Sequence, residues 1–198
     1  MKNSCRYILI ILSFIAAAGC GEDTVTVPAE NGAAKKEVNN IRFAAPRLFE
    51  AGERPKDAIA ADFNRDGNQD LAVANVNSYN ISILAGNGDG TFAPASNYPA
   101  GEMPVSVTCG DFNNDGRADL AAANYMSDNV SVLPGNGDGT FGQAKNYSAG
   151  YSPSSVISAD LNGDGNTDLA VANSYSDNIS ILLGTGDGTF GRTRNYPA

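Results

Sequence analysis

The chain repeats itself every 49 residues, and this period constrains its fold more than any other feature. Asp62, Asp111 and Asp160 are 49 residues apart, as are Phe43, Phe92, Phe141 and Phe190. The segments ADFNRDGNQDLAVAN, GDFNNDGRADLAAAN and ADLNGDGNTDLAVAN superpose without a gap, and so do GNGDGTF, GNGDGTF and GTGDGTF. Three full units run over about 52–100, 101–149 and 150–198, preceded by a partial one at 41–51. Units of this size are supersecondary pieces that bury a core only by stacking on their neighbours.

Each unit carries four short strand-like runs with turn residues between them. In the first they are A (57–62), B (71–75), C (80–84) and D (91–98). Strand A reads DAIAAD, SVTCGD and SVISAD, and strand B reads DLAVAN or DLAAAN, small or apolar on both faces. Strands without polar alternation are covered on both sides. A two-layer sandwich would alternate more cleanly, whereas small sheets stacked face to face around an axis fit. The predicted fold is therefore all-β: propeller-type blades of four antiparallel strands, three full blades and a partial N-terminal strand, in an incomplete ring. An open stack leaves a blade face bare at each end. Ile59, Leu71, Val73, Ile81 and Ile83 are assigned to one such face, and Ile157, Leu169, Val171, Ile179 and Ile181 to the other. Bare apolar faces of this kind make self-association an expectation.

Between strands A and B lies D-x-N-x-D-G-x-x-D, three times over. Asp62, Asn64, Asp66 and Asp70 define the first loop, Asp111, Asn113, Asp115 and Asp119 the second, and Asp160, Asn162, Asp164 and Asp168 the third. Oxygen-bearing side chains at positions 1, 3 and 5 converge when a glycine at position 6 allows a sharp reversal. The position 7 carbonyl (Asn68, Arg117 or Asn166) can join, and the position 9 Asp can bind through two oxygens. That supplies about six oxygens, a set suited to Ca²⁺, at one ion per loop. With neither sulfur nor imidazole offered, zinc and copper are poor matches. An EF-hand is excluded, because its position 12 Glu is replaced by Val73, Ala122 or Val171 inside a strand. An Asx-rich turn that needs no ion is the competing account. Mutual repulsion of three carboxylates, repeated without a lapse, favours the metal. The second Asp-Gly cluster, at 86–91 and its copies, reads as a hairpin joining C to D. The sequons at Asn80, Asn129 and Asn178 read as repeat residues.

The remaining chemistry is sparse. Thirteen Lys and Arg against 22 Asp and Glu give a net charge of −9, which is unfavourable for phosphate contacts and argues against nucleic acid. There is no histidine, hence no ordinary hydrolase base, and no nucleophile–base pair or cofactor fingerprint stands out. The chain reads as non-catalytic. Residues 1–19 have the basic start, short apolar run and small residues of an export signal, and residues 20–40 read as a flexible tether. Ala16-Ala17-Ala18-Gly19-Cys20 is similar to a bacterial lipobox, which would lipidate Cys20; an ordinary cleaved signal is the alternative. Cys109 is then expected to stand alone, as a small buried filler in strand A.

The metal loop followed by DLAVAN and then NISILxGxGDGTF resembles the FG-GAP repeat, also described as the VCBS repeat of bacterial surface proteins. Integrin α-subunit propellers carry a similar loop. The resemblance covers residues from about 41 to 198. It implies calcium in the A–B loops and partner binding on the opposite face, formed by the B–C and D–A loops. The expectation is a calcium-binding interaction or adhesion module, exported and lipid-anchored to the bacterial envelope, that engages a protein or glycan. The alternative is the non-catalytic propeller portion of a larger secreted polysaccharide-active enzyme.

Overall fold

The computed structural model describes residues 45–198. The expected signal, the Cys20 lipidation site and the tether lie outside the described residues. Short runs of Ala, Val, Ile and Leu, each ended by an Asn- or Gly-bearing turn, form twelve strands among the described residues. Blade 1 holds β1 (Pro55–Ala61), β2 (Asp70–Asn75), β3 (Asn80–Leu84) and β4 (Ser96–Pro99). Blade 2 holds β5 (Pro104–Gly110), β6 (Asp119–Asn124), β7 (Asn129–Leu133) and β8 (Lys145–Ser148). Blade 3 holds β9 (Pro153–Ala159), β10 (Asp168–Asn173), β11 (Asn178–Leu182) and β12 (Arg194–Pro197). Each sheet is an antiparallel meander in chain order, and the three do not close into a ring. Within the stack β5 lies between β1 and β9, so the first strand of every blade lines the axis.

Strand D is shorter than its sequence suggests. Phe92 makes an isolated bridge to Gly86, residues 93–95 leave the ladder, and pairing resumes at β4. The break frees the aromatic ring to turn towards the preceding unit. Phe141 meets Phe63 and Tyr98 edge-on at centroid distances of 5.5 Å, and Phe190 meets Phe112 and Tyr147 at 5.6 and 5.1 Å. Such contacts add about 1 kcal/mol each beyond their burial. Phe92 is met by Phe49, 49 residues before Tyr98, at 5.2 Å. Phe49 is thus the described anchor of the partial repeat, although residues 45–51 make no ladder of their own.

Blade contacts use both sheet faces. Ala72, Ala74, Ile81 and Ile83 of blade 1 pack on Val107, Cys109, Leu120, Ala122 and Leu133 of blade 2. The opposite face of blade 2, with Ala121, Ala123, Val130 and Val132, packs on Val156, Leu169, Val171 and Leu182 of blade 3. Alanine lets the sheets approach closely, and β6 is buried along its whole length. These contacts correct the two end faces. Side chains alternate along a strand, so Ile59, Ile81 and Ile83 face blade 2, while Leu71 and Val73 lie on the other side. In blade 3, Leu169 and Val171 face inward, and Ile157 and Ile179 are exposed, at 50% and 41%. Cys109 is buried as expected but disulfide-bonded, which corrects the lone thiol.

A polar ladder crosses each blade. Asn75 Nδ2 donates to Ser82 Oγ (2.8 Å) and Asn80 Oδ1 (2.9 Å), Ser82 Oγ donates to Asn97 Oδ1 (2.6 Å), and Gly52 N donates to Ser82 Oγ (3.0 Å). Asn124, Ser131, Asn129 and Asn146 repeat the pattern, as do Asn173, Ser180, Asn178 and Asn195. This accounts for the sequon asparagines as repeat residues. It also requires Gly52, Gly101 and Gly150, since a Cβ at any of them would run into the Asn and Ser side chains of its own blade.

Candidate metal centre

The A–B loops are folded by their own side chains. Asp62 accepts hydrogen bonds from the amides of Asp66 (3.1 Å) and Gly67 (3.0 Å), Asn64 Oδ1 from Asp66 (2.9 Å), and Asp66 Oδ1 from Asn68 (2.7 Å). The second loop repeats this with Asp111, Asn113 and Asp115, whose acceptors take the amides of Asp115, Gly116 and Arg117. In the third, Asp160 accepts from Gly163 and Gly165, Asn162 from Asp164, and Asp164 from Asn166. The reversal uses left-handed backbone at Gly67 (φ 89°), Gly116 (77°) and Gly165 (88°). Positions 1, 3 and 5 therefore sit together on one side of each turn. Backbone donation from Asn68 and from Asn166 lowers the carboxyls of Asp66 and Asp164 below the ordinary value.

Position 9 is different in kind. Asp70 is fully buried; its Oδ2 accepts from Phe63 N (2.9 Å) and its Oδ1 from Gly86 N (2.8 Å). Asp119 does the same for Phe112 and Gly135 (2.9 and 2.7 Å), and Asp168 for Leu161 and Gly184 (2.9 and 2.8 Å). Each of these carboxylates staples the A–B loop to the start of the C–D hairpin, a role the sequence reading did not foresee. Burial pushes Asp119 up to about 6, against the hydrogen bonds from Gly135 and Phe112 and with help from the charges of Asp115 and Asp111.

The donor set is all oxygen, which is the chemistry a calcium ion takes. A carboxylate oxygen that accepts one N–H keeps a lone pair, so the staples do not remove position 9 from that set. Among the described residues, no three Asp, Glu or Cys side chains already form a closed ligand cluster. The oxygens of Asp62 and Asn64 share the amide of Asp66, and those of Asp111 and Asn113 share that of Asp115, whereas in the third loop Asp160 takes Gly163 and Gly165 and only Asn162 takes Asp164. Loops 1 and 3 place only oxygens and neutral amides around the position 5 carboxylate, a donor chemistry compatible with such an ion. In loop 2 the Arg117 guanidinium lies 2.5 Å from Asp115 Oδ2, the place that Asn64 Nδ2 and Asn162 Nδ2 occupy on Asp66 and Asp164.

The C–D hairpins share this face, since Gly139 N donates to Phe63 O (3.1 Å) and Gly188 N to Phe112 O (3.0 Å). Their acids are turn caps: Asp89, Asp138 and Asp187 accept from the amides of Thr91, Thr140 and Thr189. Hydroxyl donation from Thr185 and Thr189 holds Asp187 down at about 2. Position 4 tethers neighbouring loops. Arg65 Nη2 donates to Gly116 O (2.5 Å), and Asn114 Nδ2 to Asn166 Oδ1 (3.0 Å). The sequence signal for both tethers was the variation at position 4, Arg65, Asn114 and Gly163, in loops whose positions 1, 3, 5, 6 and 9 are constant.

The opposite face is as regular in backbone as the metal face. Arg54, Met103 and Ser152 in the D–A loops and Tyr79, Asp128 and Asp177 in the B–C loops all adopt positive φ, between 46° and 55°. The two loops are zipped in each blade: Val76 N donates to Arg54 O, Tyr125 N to Met103 O, and Ser174 N to Ser152 O, at 2.9–3.0 Å.

Four-stranded blades stacked through alanine-rich faces, with an Asp-Asn-Asp-Gly loop in each, define a propeller-type repeat. The FG-GAP-like repeat matches residues 62–122 and 111–171, and the FG-GAP repeat matches 152–191. The chain belongs to the FG-GAP repeat family. No curated protein matches it. Among solved structures, BBS1N in complex with ARL6DN is similar over 74% of this chain and 46% of that one, at 16% identity and a TM-score of 0.52. The Tc holotoxin pore of Photorhabdus luminescens matches over 73% of this chain and 7% of that one, at 24% identity and a TM-score of 0.44. This chain thus spans less than half the length of either.

Proposed function

We propose that this chain is a calcium-binding interaction and adhesion module of the bacterial cell envelope, anchored through Cys20, which takes a protein or glycan on its B–C/D–A loop face. One observation carries the reading. The left-handed φ values and zipped loops hold the same backbone in all three blades, while the side chains mounted on it differ. Left-handed backbone at non-glycine residues costs about 1 kcal/mol each, so this rigid frame is maintained against strain. On it stand Tyr79, Met126, Tyr151 and Tyr175, all exposed, the last by 79%. Exposed tyrosine and methionine on a fixed frame bind with little ordering cost. Family membership supports an interaction role, and the all-oxygen loops support calcium as the stabilising ion.

Retention on a panel of immobilised surface polysaccharides tests the reading, with intact cells as a separate arm. Replacing Tyr79, Met126, Tyr151 and Tyr175 together by alanine should reduce retention at least tenfold with an unchanged melting temperature. Undiminished retention would move the ligand to another face. Self-association belongs to the same proposal. Ile157 and Ile179 occupy positions whose counterparts in blade 1, Ile59 and Ile81, are covered by blade 2. Light scattering should show oligomers that Ile157→Asp disperses, and a wild-type monomer would remove this part.

A further inference from the structure

We infer that loop 2 carries its own cation: the Arg117 guanidinium, backed by Arg65, supplies at loop 2 the positive charge that loops 1 and 3, with neutral amides in the same place, lack. The inference rests on the calcium reading of the loops and separates the three sites that the repeat makes look equal. In loops 1 and 3 the Oδ2 of the position 5 carboxylate is met by a neutral amide, Asn64 Nδ2 or Asn162 Nδ2, at 2.9 Å. In loop 2 the same oxygen of Asp115 is met by Arg117 Nη2 at 2.5 Å, and this is the ion pair found among the described residues. The guanidinium is fixed at its other end, with Nε donating to Gly135 O at 3.0 Å.

A second guanidinium arrives from blade 1, with Arg65 Nη2 on Gly116 O at 2.5 Å. A Cβ built on Gly137 would lie 2.6 Å from Arg117 Cδ and 3.6 Å from Arg65 Nε, so both side chains cross the same hairpin glycine. At the equivalent Gly88 the neighbour is the Asn68 amide, and at Gly186 it is the amides of Asn166 and Asn114. Two positive charges therefore stand at loop 2 where loops 1 and 3 have neutral groups. An ion entering loop 2 must displace Arg117 from Asp115 and then sit beside both guanidiniums. Affinity at an oxygen site follows its ligand charge, so loop 2 should bind calcium about tenfold more weakly than loops 1 and 3. In return, the loop of the middle blade stays folded when calcium is low.

Calorimetric titration of the full chain with calcium alone should resolve two tight sites and one weak one. Arg117→Asn, which installs the residue of the other two loops, should bring the third site to parity. Asp66→Ala and Asp164→Ala should each remove a tight site, and Asp115→Ala should remove the weak one. Three equal wild-type sites, unaltered by Arg117→Asn, overturn the inference. Melting in excess chelator gives a second arm that does not depend on the metal. There Arg117→Asn should lower the midpoint, because Asp115 loses its partner, and millimolar calcium should restore it. Calcium binding at no loop would defeat the calcium reading itself; an Arg117→Asn midpoint unchanged in chelator would defeat the role given to Arg117.

Discussion

Asp119→Ala should be the most damaging single substitution in the molecule, costing about 4 kcal/mol of stability. The carboxylate is buried and receives the amides of Phe112 and Gly135. Without it, two buried N–H groups have no acceptor, at about 1–3 kcal/mol each. Asp119→Asn keeps the shape but turns one acceptor into a donor, and should cost about half as much. The exposed hairpin variant Asp138→Ala serves as the control and should stay within about 1 kcal/mol of wild type. Urea midpoints measure all three; a wild-type midpoint for Asp119→Ala would show that the staple is not structural. The same group gives a pH signature. Its carboxyl is raised from 3.8 to about 6 in the folded chain, so the fold holds this proton more tightly than the unfolded state does. Its contribution is full below about pH 4 and is lost as pH rises through about 6. In chelator, wild type should weaken across that window, and Asp119→Asn should flatten the slope.

Calcium removal should produce the second large effect. With free calcium about tenfold above Kd, each occupied loop adds about 1.4 kcal/mol, so loops 1 and 3 together add about 3 kcal/mol. For a domain of this size that corresponds to a fall of about 6–12 °C in Tm on moving to excess chelator. Asp66→Ala and Asp164→Ala should each reduce the gap by about half. An identical Tm in calcium and in chelator would leave the loops as Asx turns, held by the amide bonds to Asp62, Asn64 and Asp66 alone.

What lay open in the sequence was local chemistry. Turn glycines, short apolar runs and the 49-residue period specify four strands per unit, because each depends on residues close in the chain. Oxygen at positions 1, 3 and 5 of each A–B loop is equally local: Asp62, Asn64 and Asp66 fold onto one another within a single turn. The tertiary structure decided which side of each sheet meets its neighbour. A two-residue repeat fixes two faces but does not say which one the next blade covers, so Ile59 and Leu71 could be grouped wrongly from sequence. It also decided the staples and tethers. Asp70 holds Gly86, and Arg65 reaches Gly116 across 51 residues. Those partners become neighbours only once a hairpin has closed or one blade has stacked on the next. For the same reason three loops that read alike along the chain differ in space: the guanidiniums of Arg65 and Arg117 meet at the middle one, where two blades bring them together.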